Sequence, residues 1–268
     1  TSRHHDSLSG KLYSDMNALL LKYIIEQASG LSFEGYLKKN IFTVLGMKET
    51  FSAVPEDRLR DCLNYNYEHR IMDNHYAIEK DAVPGTVHDP KARFLMKGGL
   101  GLQGHAGLFS SAQDMVCFAQ GLLRGDLLGR GLLLEIGKNR TGLNAAGKYR
   151  QFMGYLCFSK SPVQHLSEVP EWMGSAAFGI AGYTGNHFAM DPELGVFDIM
   201  LGNRCHMRVS QIEPSEIAIE TYNLSQEGAG LIRWPDGRLV KSSFRFVHQK
   251  DILIHEPVYH GLRHRGWL

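Results

Sequence analysis

Apolar positions recur at helical spacing from Asn17 to Ser29, where Leu19, Leu20, Tyr23, Ile24 and Ala28 dominate and Gly30 follows as a stop. Ser32 is placed to cap a second helix with Phe33, Tyr36, Leu37 and Ile41 on one face. Leu45-Gly46-Met47 then closes the unit as a turn, so the pattern predicts a helical hairpin whose apolar faces meet a core. Residues Thr1 to Lys11 are polar without periodicity and read as loop. From Pro55 to Asp89 the pattern is mixed and rich in Tyr, His and Asn, predicting a long excursion with little regular structure. A glycine-dense stretch follows (Gly98, Gly99, Gly101, Gly104, Gly107). Ser111-Ala112-Gln113-Asp114 then stands at capping-box spacing before a helical stripe of Met115, Phe118, Ala119 and Leu122.

The second half changes period. Strand-like runs rich in Phe, Tyr, Ile and Val occupy Gln151 to Phe158, Ala176 to Met190 and Val196 to Leu201. Trp234-Pro235-Asp236-Gly237 reads as a turn between strand-like Gly230 to Arg233 and Arg238 to Lys241. Helices first and strands later, with no internal repeat, predict an α+β arrangement rather than alternating βαβ units.

A length of 268 residues allows one large domain or two small ones with a sizeable core. Hydrophobic residues at 43 % and charged residues at 21 % are ordinary globular usage. A net charge of +1 points to neither nucleic acid nor an anionic membrane as partner. No apolar run approaches the roughly 20 residues needed to span a bilayer; the longest, from Ala18 to Ile25, is interrupted by Lys22 and followed by Glu26. Cys62, Cys117, Cys157 and Cys205 form no C-x-x-C pair and read as small buried hydrophobes, with two disulfides left open because nothing fixes the redox compartment.

Four local patterns carry candidate chemistry. Gly99-x-Gly101-x-x-Gly104 matches a dinucleotide fingerprint, but no strand precedes it and the next helix begins only near Ser111, so it reads as a loop where backbone packs closely. The thirteen histidines, chiefly His4-His5-Asp6, His69 with His75, His88-Asp89 and His105, include no H-E-x-x-H and no zinc spacing with cysteine; neither a cofactor nor a metal is expected. Tyr13-Ser14-Asp15 precedes the first helix, and taken alone Ser14 or Asp15 reads as its N-cap. Gly182-Tyr183-Thr184-Gly185 lies in a strand-like run, marking either close approach of a ligand or a plain bulge.

In order along the chain, these segments resemble the penicillin-binding-protein/β-lactamase family of active-site serine enzymes, in its class C-like and esterase-like branch. Tyr13-Ser14-Asp15-Met16-Asn17, with the helix after it, is similar to the family's second motif. Leu45-Gly46-Met47-Lys48-Glu49-Thr50 looks like its LGM-x-x-T segment, and Gly104-His105-Ala106-Gly107-Leu108-Phe109-Ser110-Ser111-Ala112-Gln113-Asp114 like its GHAGLFST-A-x-D segment. Val87-His88-Asp89 fits one penicillin-binding subgroup, and Gly182-Tyr183-Thr184-Gly185 resembles the third motif. The resemblance implies an α+β β-lactamase/transpeptidase-like fold: an antiparallel sheet flanked by helices with a helical subdomain, incomplete here at the N-terminus.

It also implies a mechanism. A serine activated by a lysine one helical turn later attacks an ester or amide carbonyl and forms an acyl-enzyme. By resemblance Tyr13 would relay the proton. Asp15 would hydrogen-bond the lysine or the substrate's amide side chain. Thr184 and Gly185 would line the cleft at the sheet edge, and the Asn186 N–H would be one oxyanion donor. Tyr183 stands where the family has Lys or His, removing a positive charge that would attract a carboxylate. No serine in the chain is followed by lysine three positions later, so the nucleophile is expected upstream of Thr1 in a longer protein.

The resemblance covers residues 13–204, and we expect a partial β-lactamase/penicillin-binding-like domain over 1–204 with a C-terminal extension over 205–268 packed on it. The implied partner is a small-molecule or peptidoglycan-peptide substrate: a D-Ala-D-Ala peptide, a β-lactam, or a small ester or amide. The implied location is the cell envelope. Two readings of a different class stay beside it: a non-catalytic penicillin-binding or sensing module, and a metal-dependent hydrolase using the histidines.

Overall fold

The computed structural model describes residues 14–63, 67–72, 75–80, 83–141, 152–162, 167–203, 225–226, 231–233, 239–241 and 254–267. Helix α1 (Met16–Ser29) ends at Gly30, whose φ of 67° lets the chain turn left-handed where a Cβ would resist. Ser32 caps α2 (Phe33–Leu37) by accepting from the Gly35 N–H. A π-helical turn at Lys38–Phe42 leads into α3 (Thr43–Leu45), which stops at Gly46, again left-handed. The predicted hairpin is therefore present. Its packing is not as expected: α1 buries none of its residues, and Met16, Leu20, Leu21, Tyr23 and Ile24 are exposed.

The stretch expected to lack regular structure contains a short 3₁₀ helix at Glu56–Asp61 and an antiparallel hairpin of β1 (Tyr67–Met72) and β2 (His75–Lys80), in the register Tyr67↔Lys80 to Met72↔His75. A two-stranded ribbon needs no continuous apolar face, so a mixed pattern of residues accommodates it. After it, α4 (Pro90–Leu95) begins at Asp89, which accepts from the Ala92 N–H at 2.8 Å with Pro90 in the first turn. Helix α5 (Ala112–Arg124) is capped by Ser111, whose Oγ accepts from the Asp114 N–H at 3.1 Å. Helix α6 (Arg130–Ile136) follows.

The main sheet holds four antiparallel strands in the order β3 (Phe158–Ser159), β4 (Phe178–Ala181), β5 (His187–Asp191) and β6 (Val196–Met200). Side chains alternate across a strand, so the sheet divides its neighbours into two sets. Phe188 and Met190 of β5, with Phe197 and Ile199 of β6, pack against Ala119 and Leu122 of α5 and Leu133 of α6. Burying a side chain such as Met190 or Leu133 contributes about 1.5–3 kcal/mol. Ala189 of β5 packs on the other face with Val169, Met173 and Ala177. Cys157 lies in the first core, where burial pushes its thiol pKa up to about 12; Cys62 and Cys117 are only partly buried, and Cys205 lies outside the described residues.

The expected run from Ala176 to Met190 is two strands rather than one, joined by a turn at Gly182–Asn186. A smaller sheet of β7 (Ser225–Gln226), β8 (Leu231–Arg233) and β9 (Leu239–Lys241) carries the predicted pair around residues 234–237, a turn that itself lies outside the described residues. The last helix, α7 (Glu256–His264), returns toward the main sheet: Tyr259 stacks on Trp172 with ring centroids 5.6 Å apart. Among the described residues no helix is long and apolar enough to cross a membrane.

Candidate active site

The residues before α1 divide two tasks between them. Ser14 Oγ accepts the Met16 N–H at 3.2 Å, while the Asp15 side chain makes no capping bond. Asp15 instead forms an ion pair with Lys91, which stands in the first turn of α4. Of the two N-cap candidates, Ser14 takes the role, and the Asp15 carboxylate is held toward another element. Tyr13, expected to relay a proton, lies outside the described residues.

The segment that meets Asp15 also meets the third motif. His88, three residues before Lys91, has its ring centroid 5.4 Å from that of Tyr183. Between them, Asp89 caps α4 and bonds His105 Nε2 at 3.2 Å. Burial tends to raise the Asp89 carboxyl, but the Ala92 N–H and the His105 ring outweigh it and hold the pKa below the usual carboxylate range. His105 belongs to the glycine-dense stretch, which packs tightly on α1: a Cβ on Gly104 would stand 2.1 Å from the Ala18 carbonyl oxygen. Close packing is confined to Gly104 and Gly107, because a Cβ on Gly98, Gly99 or Gly101 would meet nothing within 4 Å.

The third-motif residues lie in a turn between two strands. Tyr183, Thr184 and Gly185 form the tip of the β4–β5 hairpin, closed by Gly182 N–H to Asn186 O at 2.7 Å and Gly185 N–H to Gly182 O at 3.0 Å. They stand at the end of two interior strands, not within a strand on the sheet edge, because Gly185 at φ 102° favours a turn. Asn186 Nδ2 donates to Thr184 Oγ1 at 3.4 Å, and Asn186 Oδ1 accepts the Gly202 N–H at 3.1 Å. The described hydrogen bonds of Thr184, Gly185 and Asn186 thus remain within the hairpin and Gly202. Only Tyr183 is brought to the segment that holds Asp15.

Two further features frame this site. Asp114, expected to complete a capping box, spends its carboxylate elsewhere: it accepts from Lys48 N–H at 3.3 Å, Glu49 N–H at 2.7 Å and Thr50 Oγ1 at 2.7 Å. That buried carboxylate joins the LGM-x-x-T and GHAGLFS segments. A cavity of about 340 Å³ lies against α1 between Lys22, Glu26, Phe33 and the Gly99 to Leu102 turn. Of its charged lining, Lys22 pairs with Glu26 at 2.8 Å and Glu34 accepts from Ser52 Oγ, so we place the candidate chemistry at Asp15, His88 and Lys91 instead.

Lys91 was missed in the sequence. The signal was present, since Asp89-Pro90 marks a helix start and puts Lys91 in its first turn. A second group lay beyond sequence reach: His187, Asp198 and His255 each offer a ligand atom within 4.8 Å of the others, whereas none of the histidines singled out by spacing belongs to it.

Comparison with known proteins follows this geometry. Residues 4–219 match the family described as Beta-lactamase. A putative D-alanyl-D-alanine carboxypeptidase of Salmonella typhi is 27 % identical over 216 residues, covering 75 % of this chain and 47 % of the relative. The chain thus spans about half the length of the curated relatives it matches. Among solved structures, EstCE1, a hydrolase with promiscuous acyltransferase activity, superposes with a TM-score of 0.51 at 17 % identity, covering 74 % of this chain and 52 % of that one. A penicillin-binding protein from Bacillus halodurans gives a TM-score of 0.47 at 16 % identity, covering 73 % and 52 %.

Proposed function

The chain belongs to the beta-lactamase family, and we propose that it forms part of a serine hydrolase acting through an acyl-enzyme on a D-Ala-D-Ala peptide, a β-lactam, or a small ester or amide. The observation that carries this reading is the Asp15–Lys91 ion pair, with Tyr183 against His88 three residues before Lys91. Two segments distant in sequence converge on four consecutive residues, as a cleft between a helical part and a sheet requires. The carboxypeptidase name of the Salmonella relatives supports the peptide substrate and a place in the cell envelope.

In this reading the nucleophilic serine and its lysine lie outside these 268 residues, since no serine here is followed by lysine three positions on. Tyr13 moves the proton between that serine and the leaving group. Asp15, fixed by Lys91, orients the polar groups beside it, and the tip from Tyr183 to Asn186 forms the substrate-facing rim. An Asn186 N–H turned toward the acyl oxygen would stabilise the oxyanion together with the nucleophile's own N–H.

A second reading, a binding module without turnover, is favoured by Tyr183, an uncharged ring where a cation would draw in a carboxylate. The two separate in one experiment on the complete protein with a fluorescent penicillin and an aryl ester. The hydrolase reading expects a covalent adduct on serine, formed at least about tenfold more slowly by Tyr13→Phe. An unchanged acylation rate removes Tyr13 from the mechanism. Saturable binding with no adduct selects the binding module.

A further inference from the structure

We propose that His187, Asp198 and His255 form a zinc site that fastens the C-terminal helix to the main sheet, on the face opposite α5. The argument begins with strand alternation. Ala189 pairs with Asp198 across β5 and β6, and His187 is two residues from Ala189, so His187 and Asp198 stand on the same face. His255 immediately precedes α7 and reaches that face from the far end of the chain. Its ring centroid lies 4.8 Å from that of His187.

The tautomer of His187 follows from its partner. Nε2 lies 2.6 Å from the Glu168 carbonyl oxygen, which can only accept, so Nε2 carries the proton. Nδ1 of the neutral ring is then a lone pair, and it faces Asp198 Oδ1 at 3.4 Å. A lone pair facing a carboxylate oxygen is accommodated by a cation between them, either a proton or a metal ion. A ring nitrogen held in this way by a backbone carbonyl on its other side is the usual arrangement of a metal-bound histidine.

The third residue decides between proton and metal. His255 Nε2 stands 3.6 Å from the same Asp198 oxygen, and the three ligand atoms lie within 4.8 Å of one another. An N–H on His255 Nε2 would lie long for a hydrogen bond to that oxygen at 3.6 Å, whereas a metal ion engages all three atoms at once. A tetrahedral zinc with bonds of about 2.0–2.1 Å needs ligand atoms roughly 3.4 Å apart; Asp198 stands at 3.4 Å and 3.6 Å from the two imidazoles, and zinc binding would draw the two rings, within 4.8 Å of each other, closer together. Both imidazoles are buried and the Asp198 side chain is 16 % exposed, which leaves a route for the ion and room for water as a fourth ligand. Neutral imidazoles with one carboxylate suit zinc better than calcium or magnesium, which take oxygen ligands. The proposal does not depend on the hydrolase reading, because no residue of the candidate active site takes part.

The test uses the full chain without a histidine tag, stripped by chelator and dialysed against Zn²⁺, with metal content measured by mass spectrometry. The expected result is one zinc per chain and an unfolding midpoint that rises with free Zn²⁺. Asp198→Asn keeps the shape of the site and should weaken zinc binding about tenfold or more. Co²⁺ in place of zinc should give the visible absorption of a tetrahedral site, lost in His187→Gln and His255→Gln. No zinc retained by the folded chain overturns the proposal. Zinc retained equally by all three variants also overturns it, since other histidines would then hold the ion.

Discussion

Asp114 Oδ2 accepts the Glu49 N–H at 2.7 Å, joining the start of α5 to the turn after α3 across 65 residues of sequence. With Lys48 N–H and Thr50 Oγ1 on the same carboxylate, one buried side chain terminates a loop that has no regular structure of its own. Removing it strands two backbone donors, while the Thr50 hydroxyl keeps Ser110 Oγ at 2.9 Å. Asp114→Ala should therefore lower unfolding stability by about 3 kcal/mol, and Asp114→Asn by less, because an amide oxygen still accepts. Urea denaturation reads both; equal stability of wild type and the alanine variant would show that the turn holds without this carboxylate.

Asp89 makes stability depend on acid. Its carboxyl pKa is depressed in the fold, burial being outweighed by the Ala92 N–H and His105. A depressed pKa means that the folded state binds its proton less readily than the unfolded chain. The stabilisation is therefore complete above the unfolded value of about 3.9 and is lost as pH falls through the lower folded value. Asp89→Asn keeps a competent cap and should flatten the acid limb of the stability profile. Asp89→Ala should also cost about 1 kcal/mol at neutral pH, where the cap itself is lost. An acid limb unchanged in Asp89→Asn would assign that limb to other carboxylates.

Gly104 is a matter of space rather than backbone angle. A methyl group there would stand 2.1 Å from the Ala18 carbonyl, so α1 and the glycine stretch must separate. Gly104→Ala should destabilise by about 1–3 kcal/mol. Gly98→Ala meets nothing within 4 Å and serves as the control. Thermal melts of the two variants test the contact; matching midpoints would refute it.

Cys157 should behave unlike its neighbours toward alkylation. Its thiol pKa is pushed to about 12 by burial, whereas Cys62 and Cys117 reach the surface in part. Iodoacetamide at neutral pH is expected to label Cys62 and Cys117 in the native chain and Cys157 only after denaturation. Labelling of native Cys157 at the rate of Cys117 would contradict its place in the core, and peptide mass mapping resolves the two.

The helix ends legible in the sequence are those fixed by a single local residue. Gly30, Ser32 and Ser111 act within a few residues of themselves, so the ends of α1, α2 and α5 follow from residue type. The strand from Val196 was legible because its apolar run stands alone. The β4–β5 hairpin was not, since Ala176 to Met190 is strand-like in residue type at both ends and the turn at Gly182–Asn186 divides it. The candidate site divides in the same way. Asp15 was visible beside its helix, but its partner Lys91 comes from another helix, a choice made by tertiary packing. His187, Asp198 and His255 converge through sheet register and a returning chain end, which no spacing rule encodes.

The apolar side of α1 has a consequence for the protein in solution. Met16, Leu20, Tyr23 and Ile24, each more than half exposed, lie on successive turns of a single helix and so offer a continuous oily stripe to water. Such a stripe is satisfied by its own kind, so these 268 residues alone will associate as their concentration rises. Sulfate or phosphate, which strengthen apolar burial, will bring this on sooner, and mild urea will delay it. Among the described residues, α1 thus adds an apolar surface to a chain whose near-neutral charge does little to oppose association.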